Sequence, residues 1–340
     1  RLDEIRAMAL NIYMEQSAVR DGVTAEEVKG ILLGMASGQE TLLGYFRRFI
    51  RNFEKRVGIN RTVGSLRAYS NAYSHIERFL QAQYKLSDIP FSALDRSFID
   101  KYDLYLRTER NLAPGTIINL TVQLKTIVGE AIADGVITAS PFMGYEPVRP
   151  KHVQKYLTAE ELHRIMTTPL HRQTLYHVRD MFLFSCFTGI PYGDMRLLTK
   201  DNLCLAEDGI WWIKSARQKT KIEFEIPLLD LPLQILKKYS GTAPGDKLLP
   251  MYCNSTLNLY LKEIARICHI DRPLVFHAGR HTYATEITLS HGVPLETVSR
   301  MLGHSQIETT QIYAKVTDEK IDTDTKALNR KISERFSVVI

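Results

Sequence analysis

Between residues 277 and 313 the sequence gathers side chains suited to act on an anion: His277, Arg280 and His281, then His304 directly behind Leu302-Gly303, then Tyr313. Arg280 is planar and permanently charged, so it can grip two oxygens of one oxyanion at once. His277 stands one helical turn before it, which directs both side chains at the same group. A phenol with a pKa of about 10 needs such neighbours to lose its proton at neutral pH. Two plainer readings stand beside this one. Tyr313 is one of 16 tyrosines, most of which pack their rings in a core, and only its place nine residues after His304 sets it apart. His277 and His281 are spaced as a helical metal pair, yet a zinc site needs two further ligands and no carboxylate or thiol lies at a fitting spacing. No metal is expected. The four cysteines, Cys186, Cys204, Cys253 and Cys268, form no CxxC pair, so neither a disulfide framework nor a zinc knuckle is indicated.

These residues need a rigid frame, and 340 residues are too many for one ordinary compact domain. With 44% hydrophobic and 24% charged residues the chain has the globular mixture, which excludes disordered, collagen-like and fibrous classes. The longest apolar run, Met181 to Ile190, is about half of what a bilayer span needs, and no signal peptide opens the chain. A cytoplasmic protein without a membrane partner is expected. The chain starts at Arg1 rather than Met, which predicts a natural N-terminus further upstream.

Residues 1–37 read as a connecting helix, with Thr24 and Glu27 at capping-box spacing ahead of Val28, Ile31 and Leu32. Residues 38–150 read as a helical bundle. Its stripes are Phe46, Phe49, Ile50 and Phe53; Leu66, Tyr69, Tyr73, Ile76 and Leu80; Leu120, Leu124, Ile127 and Ala131; and a shorter helix around Ile99 to Leu106. Pro147 and Pro150, set among Arg149, Lys151 and His152, mark an extended linker. Residues 151–340 open with a Thr158 to Glu161 capping box. They contain an Asp208-Gly209 turn, the run Ile210 to Ile213, then Ile222, Phe224 and Ile226 alternating with charge, which predicts a small antiparallel sheet. Gly279, Gly292 and Gly303 read as interruptions between helices. The fold class is mainly α: a helical bundle plus a mixed α+β domain.

The stretch from His277-Ala278-Gly279-Arg280 through Leu302-Gly303-His304 to Thr309-Thr310-Gln311-Ile312-Tyr313 resembles the tyrosine recombinase (phage integrase) family. That family's signature is His-x-x-Arg, a second His after Leu-Gly, and a Tyr nine residues on. The resemblance runs from about Gln39 to the C-terminus. It implies a SAM-like core-binding domain at 38–150 and a catalytic domain at 151–340. It also implies attack on a DNA phosphodiester by the phenol oxygen, giving a 3′-phosphotyrosine link and a free 5′-hydroxyl that attacks the partner strand. Bond energy is retained, so no cofactor is required. By the same resemblance Tyr313 is the nucleophile; Arg280, His277 and His304 are donors around the phosphate; and Lys219 in the hairpin is the general acid, with Lys214 and Lys221 as nearby rivals.

One family residue is missing. The first catalytic Arg normally follows Thr-Gly-x, and here Thr188-Gly189-Ile190 is followed by Pro191, although Asp194 matches the acidic residue three further on. Proline cannot hold a phosphate by charge. The Thr-Gly-x-x-Tyr-x-Asp wording is most similar to integrases of Bacteroides-type conjugative transposons. Arg217 is the candidate replacement, because on an extended strand its two-residue separation from Lys219 puts both on one face. Arg196 is a weaker rival.

The resemblance gives a partner to the basic stripe Arg47, Arg48, Arg51 and Lys55: the phosphates of double-stranded DNA at attachment or core sites, with Arg149, Lys151 and Lys155 following along the linker. The net charge of +6 divides as −2 over residues 1–37 and +4 over each of the two later segments. The apolar end Phe336 to Ile340 is expected to dock into a neighbouring protomer, giving a homotetramer on paired sites. An arm-binding domain is expected to be missing ahead of residues 1–37. The implied function is integration and excision of a mobile element in a bacterial cytoplasm, at the nucleoid, with accessory DNA-bending proteins as further partners. A DNA-binding relative with lost chemistry and a topoisomerase-like relaxing enzyme are the alternatives.

Overall fold

The computed structural model describes residues 2–18, 22–25, 28, 40–149, 155–313 and 318–333. Lys151, the apolar end from Phe336 and most of the segment between Thr24 and Leu32 lie outside the described residues. The chain divides into two compact units, Arg1–His152 and Val153–Ile340.

In the first unit α1 (Leu2–Ser17) is followed by α2 (Leu42–Glu54), α3 (Val63–Phe79), α4 (Arg96–Thr108) and α5 (Pro114–Ala133). Each start has a local cause. The Thr62 hydroxyl accepts from the Ser65 N–H, the Asp95 carboxylate accepts from the Phe98 N–H, and Pro114 opens α5 where no N–H is needed. Thr41 gives α2 no side-chain cap, and Asp88 supplies it from a distance by accepting from the N–H groups of Leu43 and Gly44. The apolar stripes close on one core in which Phe46, Ile76, Phe79, Leu80, Ile99, Leu124 and Ile127 are fully buried. Burying each such side chain contributes roughly 1.5–3 kcal/mol before ordering costs.

The second unit is arranged around α7 (Gln173–Thr188), which follows α6 (Ala159–Thr167) and its Thr158–Glu161 capping box. Met181, Phe182, Phe184 and Cys186 are fully buried, as a helix apolar on every side requires. Its buried Asp180 accepts from Lys238 Nζ at 2.5 Å and Tyr239 Oη at 2.9 Å. The short helix α8 (Tyr192–Met195) leads to a three-stranded antiparallel sheet, β1 (Leu203–Leu205), β2 (Trp211–Ala216) and β3 (Glu223–Pro227), in that order. Leu203 lies opposite Ile213, and Ser215 opposite Phe224. Three-residue β1 is too short to leave a period in the sequence. After it come α9 (Asp230–Lys238), α10 (Asn254–Ile267), α11 (Ala278–Thr282), α12 (Leu295–Leu302), α13 (Glu308–Gln311) and α14 (Asp318–Ser333).

Gly279 does not interrupt a helix. It lies inside α11, where a Cβ would stand 2.9 Å from Ser185 Oγ and 3.3 Å from the Cys186 nitrogen, so its lack of a side chain lets α11 rest directly on α7. Gly292 and Gly303 do end helical segments, at φ 81° and 63°. No helix among the described residues is long and apolar enough to cross a membrane.

Candidate active site

Arg280 projects from α11 into the second unit and is only 3% exposed. Its Nη1 donates to the carbonyl oxygen of Gly189 at 2.9 Å, and its Nη2 donates to that of Leu302 at 2.7 Å. Both acceptors are helix-terminal carbonyls with no intrahelical partner, so the ends of α7 and α12 clamp one guanidinium. Gly189 must be glycine for this. Its φ is 70°, and a Cβ there would fall 2.4 Å from Tyr283 Cδ1 and 2.8 Å from Leu302 Cδ2.

Arg280 Nη2 also lies 2.9 Å from His304 Nε2, and His304 Nδ1 lies 2.7 Å from Thr310 Oγ1. Tyr313, 8% exposed, follows α13, and its N–H donates to the carbonyl of Thr310 at 3.0 Å. Its ring lies nearly parallel to that of His304, with centroids 6.3 Å apart, and meets the edge of His281 at 5.2 Å. His281 in turn packs against His277 at 4.8 Å. The four residues quoted from the motif are thus one contiguous cluster.

Arg217 joins it. Its Nη1 donates to the same Leu302 carbonyl, at 3.2 Å, that Arg280 uses. Its Nε lies 2.7 Å from Asp194 Oδ2, while Asp194 Oδ1 accepts from the Gln218 N–H at 2.8 Å. Asp194 therefore ties the β2–β3 turn to the segment where Pro191 stands. Gly303 leaves room for the arginine stem, since a Cβ there would sit 2.9 Å from Arg217 Cγ. Strand alternation is not what places Arg217. β2 ends at Ala216, and Arg217 is the base of a turn in which its N–H donates to Ile222 O and its carbonyl accepts from the Lys221 N–H, each at 2.8 Å. Side chains in such a turn do not alternate, so Arg217 is largely buried while Lys219 stands exposed at the tip, outside the cluster. Arg196 is exposed.

Burial dominates the electrostatics. It pushes the Arg280 guanidinium down to about 10, helped by the neighbouring Arg217 charge. His304 is pushed down to about 4 by burial, then by Arg280 and Arg217. His281 is also pushed down to about 4, by burial, then by His277, Lys155 and Arg280, and His277 is lowered by burial, Arg280, Arg217 and Lys155. Each of these shifts favours the uncharged imidazole. Burial raises the Tyr313 phenol, against the downward pull of Arg280 and Arg217. Two guanidiniums are thus held beside a phenol, and the one carboxylate among them, Asp194, is paired with Arg217.

Residues 155–320 match the model of the phage integrase family, and residues 41–147 match the phage integrase SAM-like domain. The chain belongs to the phage integrase family. It is a tyrosine recombinase, an enzyme of site-specific DNA strand exchange. It is 25% identical over 273 residues to the tyrosine recombinase XerD of Listeria monocytogenes, covering 75% of this chain and 89% of the relative. With the XerD of Staphylococcus saprophyticus it shares 26% over 297 residues, covering 83% and 96%. Among solved structures, the Tn1549 transposon integrase in complex with transposon right end DNA superposes with a TM-score of 0.66 at 18% identity, over 85% of this chain and 99% of that one. A lambda integrase tetramer bound to a Holliday junction gives 0.67 at 17%, over 94% and 89%.

The remaining candidates of this recombinase fall into different settings. Lys155 is exposed yet near enough to His277 and His281 to act on their protonation. Arg149 is exposed in the first unit. On α2, Arg47 donates to Tyr73 Oη at 2.5 Å, and Arg48 pairs with Glu40 at 2.5 Å while lying over the Tyr45 ring. Arg51 and Lys55 are exposed. The basic stripe is therefore uneven, because Glu40, outside the helix, offsets one of its charges. Lys214 pairs with Glu225 at 3.3 Å. Sequence reasoning missed Thr310 and the packing of His281 on Tyr313. The first had a usable signal, since a residue three before the tyrosine on a helical turn faces back toward the histidine.

Proposed function

We propose that this recombinase cleaves and rejoins duplex DNA at paired attachment-type sites and thereby integrates and excises a mobile element such as a conjugative transposon. The observation that carries the reading is the meeting of Arg280, Arg217, His304 and Tyr313 around the Leu302 carbonyl and the end of α12. Tyr313 Oη attacks the scissile phosphorus, the bond to the 5′-oxygen breaks, and Lys219 from the turn anchored by Arg217 and Asp194 gives that oxygen its proton. Arg280, Arg217, His277 and His304 hold the nonbridging oxygens, whose added negative charge in the pentacoordinate state they stabilise more than the ground state. The partner strand's 5′-hydroxyl then displaces the tyrosine. One phosphodiester is exchanged for another, which is why the step needs no cofactor.

In this reading residues 38–150 form the core-binding domain, residues 151–340 the catalytic domain, and residues 1–37 a coupler. The protein acts in a bacterial cytoplasm as a tetramer on paired sites, its apolar end docked into a neighbour, with accessory DNA-bending proteins. Solved integrases of this fold on transposon-end DNA and, as a tetramer, on a Holliday junction support the partners. Arg51 and Lys55, exposed and without a salt bridge among the described residues, are the phosphate contacts of α2. Replacing either with alanine is expected to reduce the slope of log affinity against log salt by about one, measured by anisotropy of a labelled duplex. Arg48→Ala, whose charge Glu40 already offsets, is expected to change the slope least; an equal loss at all three positions would overturn this assignment.

The direct test is a nicked suicide duplex. Incubation is expected to yield a denaturant-resistant protein–DNA complex whose adduct maps to the peptide holding Tyr313. An adduct at another residue, or none with bound DNA, would refute the reading.

A further inference from the structure

The structure assigns to Thr310 a positioning role: it fixes His304 as the Nδ1–H tautomer and so leaves the Nε2 lone pair pointing into the cluster. The inference rests on the proposed role of His304 at the scissile phosphate, but its geometry stands apart from that role. A guanidinium carries only donors, so at 2.9 Å the Arg280 Nη2 donates and His304 Nε2 accepts. A neutral imidazole that accepts at Nε2 must carry its one proton at Nδ1. That proton needs an acceptor, and Thr310 Oγ1 stands 2.7 Å away, fully buried. The reverse arrangement, with the threonine hydroxyl donating to Nδ1, would strip both nitrogens of protons. An imidazolium would instead set an N–H against the Arg280 N–H. Only this assignment gives both the Arg280 N–H and the imidazole N–H an acceptor.

The backbone reinforces this. The Thr310 N–H donates to Ile307 O at 2.7 Å and its carbonyl accepts from Tyr313 N–H, so the threonine that sets the imidazole also sets the start of the nucleophile's turn. His304 was expected to donate to the phosphate. With Nδ1–H held by Thr310, its Nε2 is an acceptor at rest, and it donates to a phosphate oxygen only after it has taken up a proton.

The test uses the full chain labelled with 15N and no DNA, reading long-range 1H–15N correlations of the His304 ring, assigned by their loss in His304→Gln. The wild type is expected to show a protonated Nδ1 and an unprotonated Nε2. Thr310→Val keeps the shape but not the acceptor, and is expected to shift the ring toward the Nε2–H form. On the suicide duplex it should form covalent complex about tenfold more slowly with unchanged DNA affinity, since a buried donor is left unmade. Thr310→Ser is expected to restore both readouts. A wild-type Nε2–H tautomer overturns the proposal, as does a valine variant with wild-type spectrum and rate. Should the valine variant not fold, the wild-type and serine spectra decide. Failure of the wild type itself to form any adduct would instead strike the functional reading and leave the tautomer measurement intact.

Discussion

Arg217→Ala is expected to slow covalent complex formation by about a hundred- to a thousandfold while leaving duplex affinity within a few-fold. The magnitude is that of removing one preorganised donor from a transition-state oxyanion. Pro191 offers no charge at the end of α7, so the transferring phosphate would face Arg280 alone among the arginines unless another guanidinium is present. Arg217 is present: it shares the Leu302 carbonyl with Arg280 and is held by Asp194 at 2.7 Å. An oxyanion there would take over N–H groups that now rest on a carbonyl, with Asp194 keeping the arginine in place. Arg217→Lys is expected to rescue little, because an ammonium is a single point charge and cannot hold Asp194 and a phosphate in the same planar fork. Single-turnover assays on the nicked duplex, separated on denaturing gels, measure the rate. Urea denaturation of each variant checks that the turn has not collapsed with its ion pair. An alanine variant that cleaves at near wild-type rate would return Arg217 to the status of a structural arginine.

How Arg217 reached the site is a measure of what the sequence can carry. The residue was legible as a candidate, and the stated geometry was not, because the turn's hydrogen bonds and the Asp194 ion pair place it rather than strand alternation. Tyr313, His304 and Arg280 were legible because their spacing along helices and helix ends is a local property, and the fold preserves it. Thr310 was inside the quoted stretch yet unread, since its function appears only when His304 turns its Nδ1 toward it. His281 is spaced in the sequence as half of a metal pair, and what it touches is Tyr313, a contact that depends on the path of the chain between α12 and α13. Gly279 looked like a break because a sequence cannot tell a glycine that ends a helix from one that admits a neighbouring helix. Arg48 looked equal to Arg51 because Glu40 lies outside the helix whose periodicity was being read.

Arg280→Met is expected to separate activity from stability: loss of at least about a thousandfold in cleavage, with a folded protein whose urea midpoint equals or exceeds that of the wild type. The cleavage loss follows from removing the donor that touches Gly189, Leu302 and His304 together. Arg280 has its pKa pushed down to about 10 from 12.5, chiefly by burial and secondarily by Arg217. A base with a depressed folded pKa is disfavoured in its charged form; the disadvantage is full at any pH below about 10 and fades only as pH rises toward the unfolded value. At neutral pH this amounts to a destabilisation on the order of 3 kcal/mol. Methionine fills similar space without the charge, and replacing a buried ionic group by an apolar one of like volume is often neutral or stabilising. The Gly189 carbonyl and His304 Nε2, which lose their donor while Leu302 keeps that of Arg217, offset part of that gain. Bound DNA is expected to stabilise the wild type, since a phosphate would offset the buried Arg280 charge, and the methionine variant is expected to gain less from it. A methionine variant that unfolds at lower urea than the wild type would mean that Arg280 holds α7 and α12 together more than it strains them.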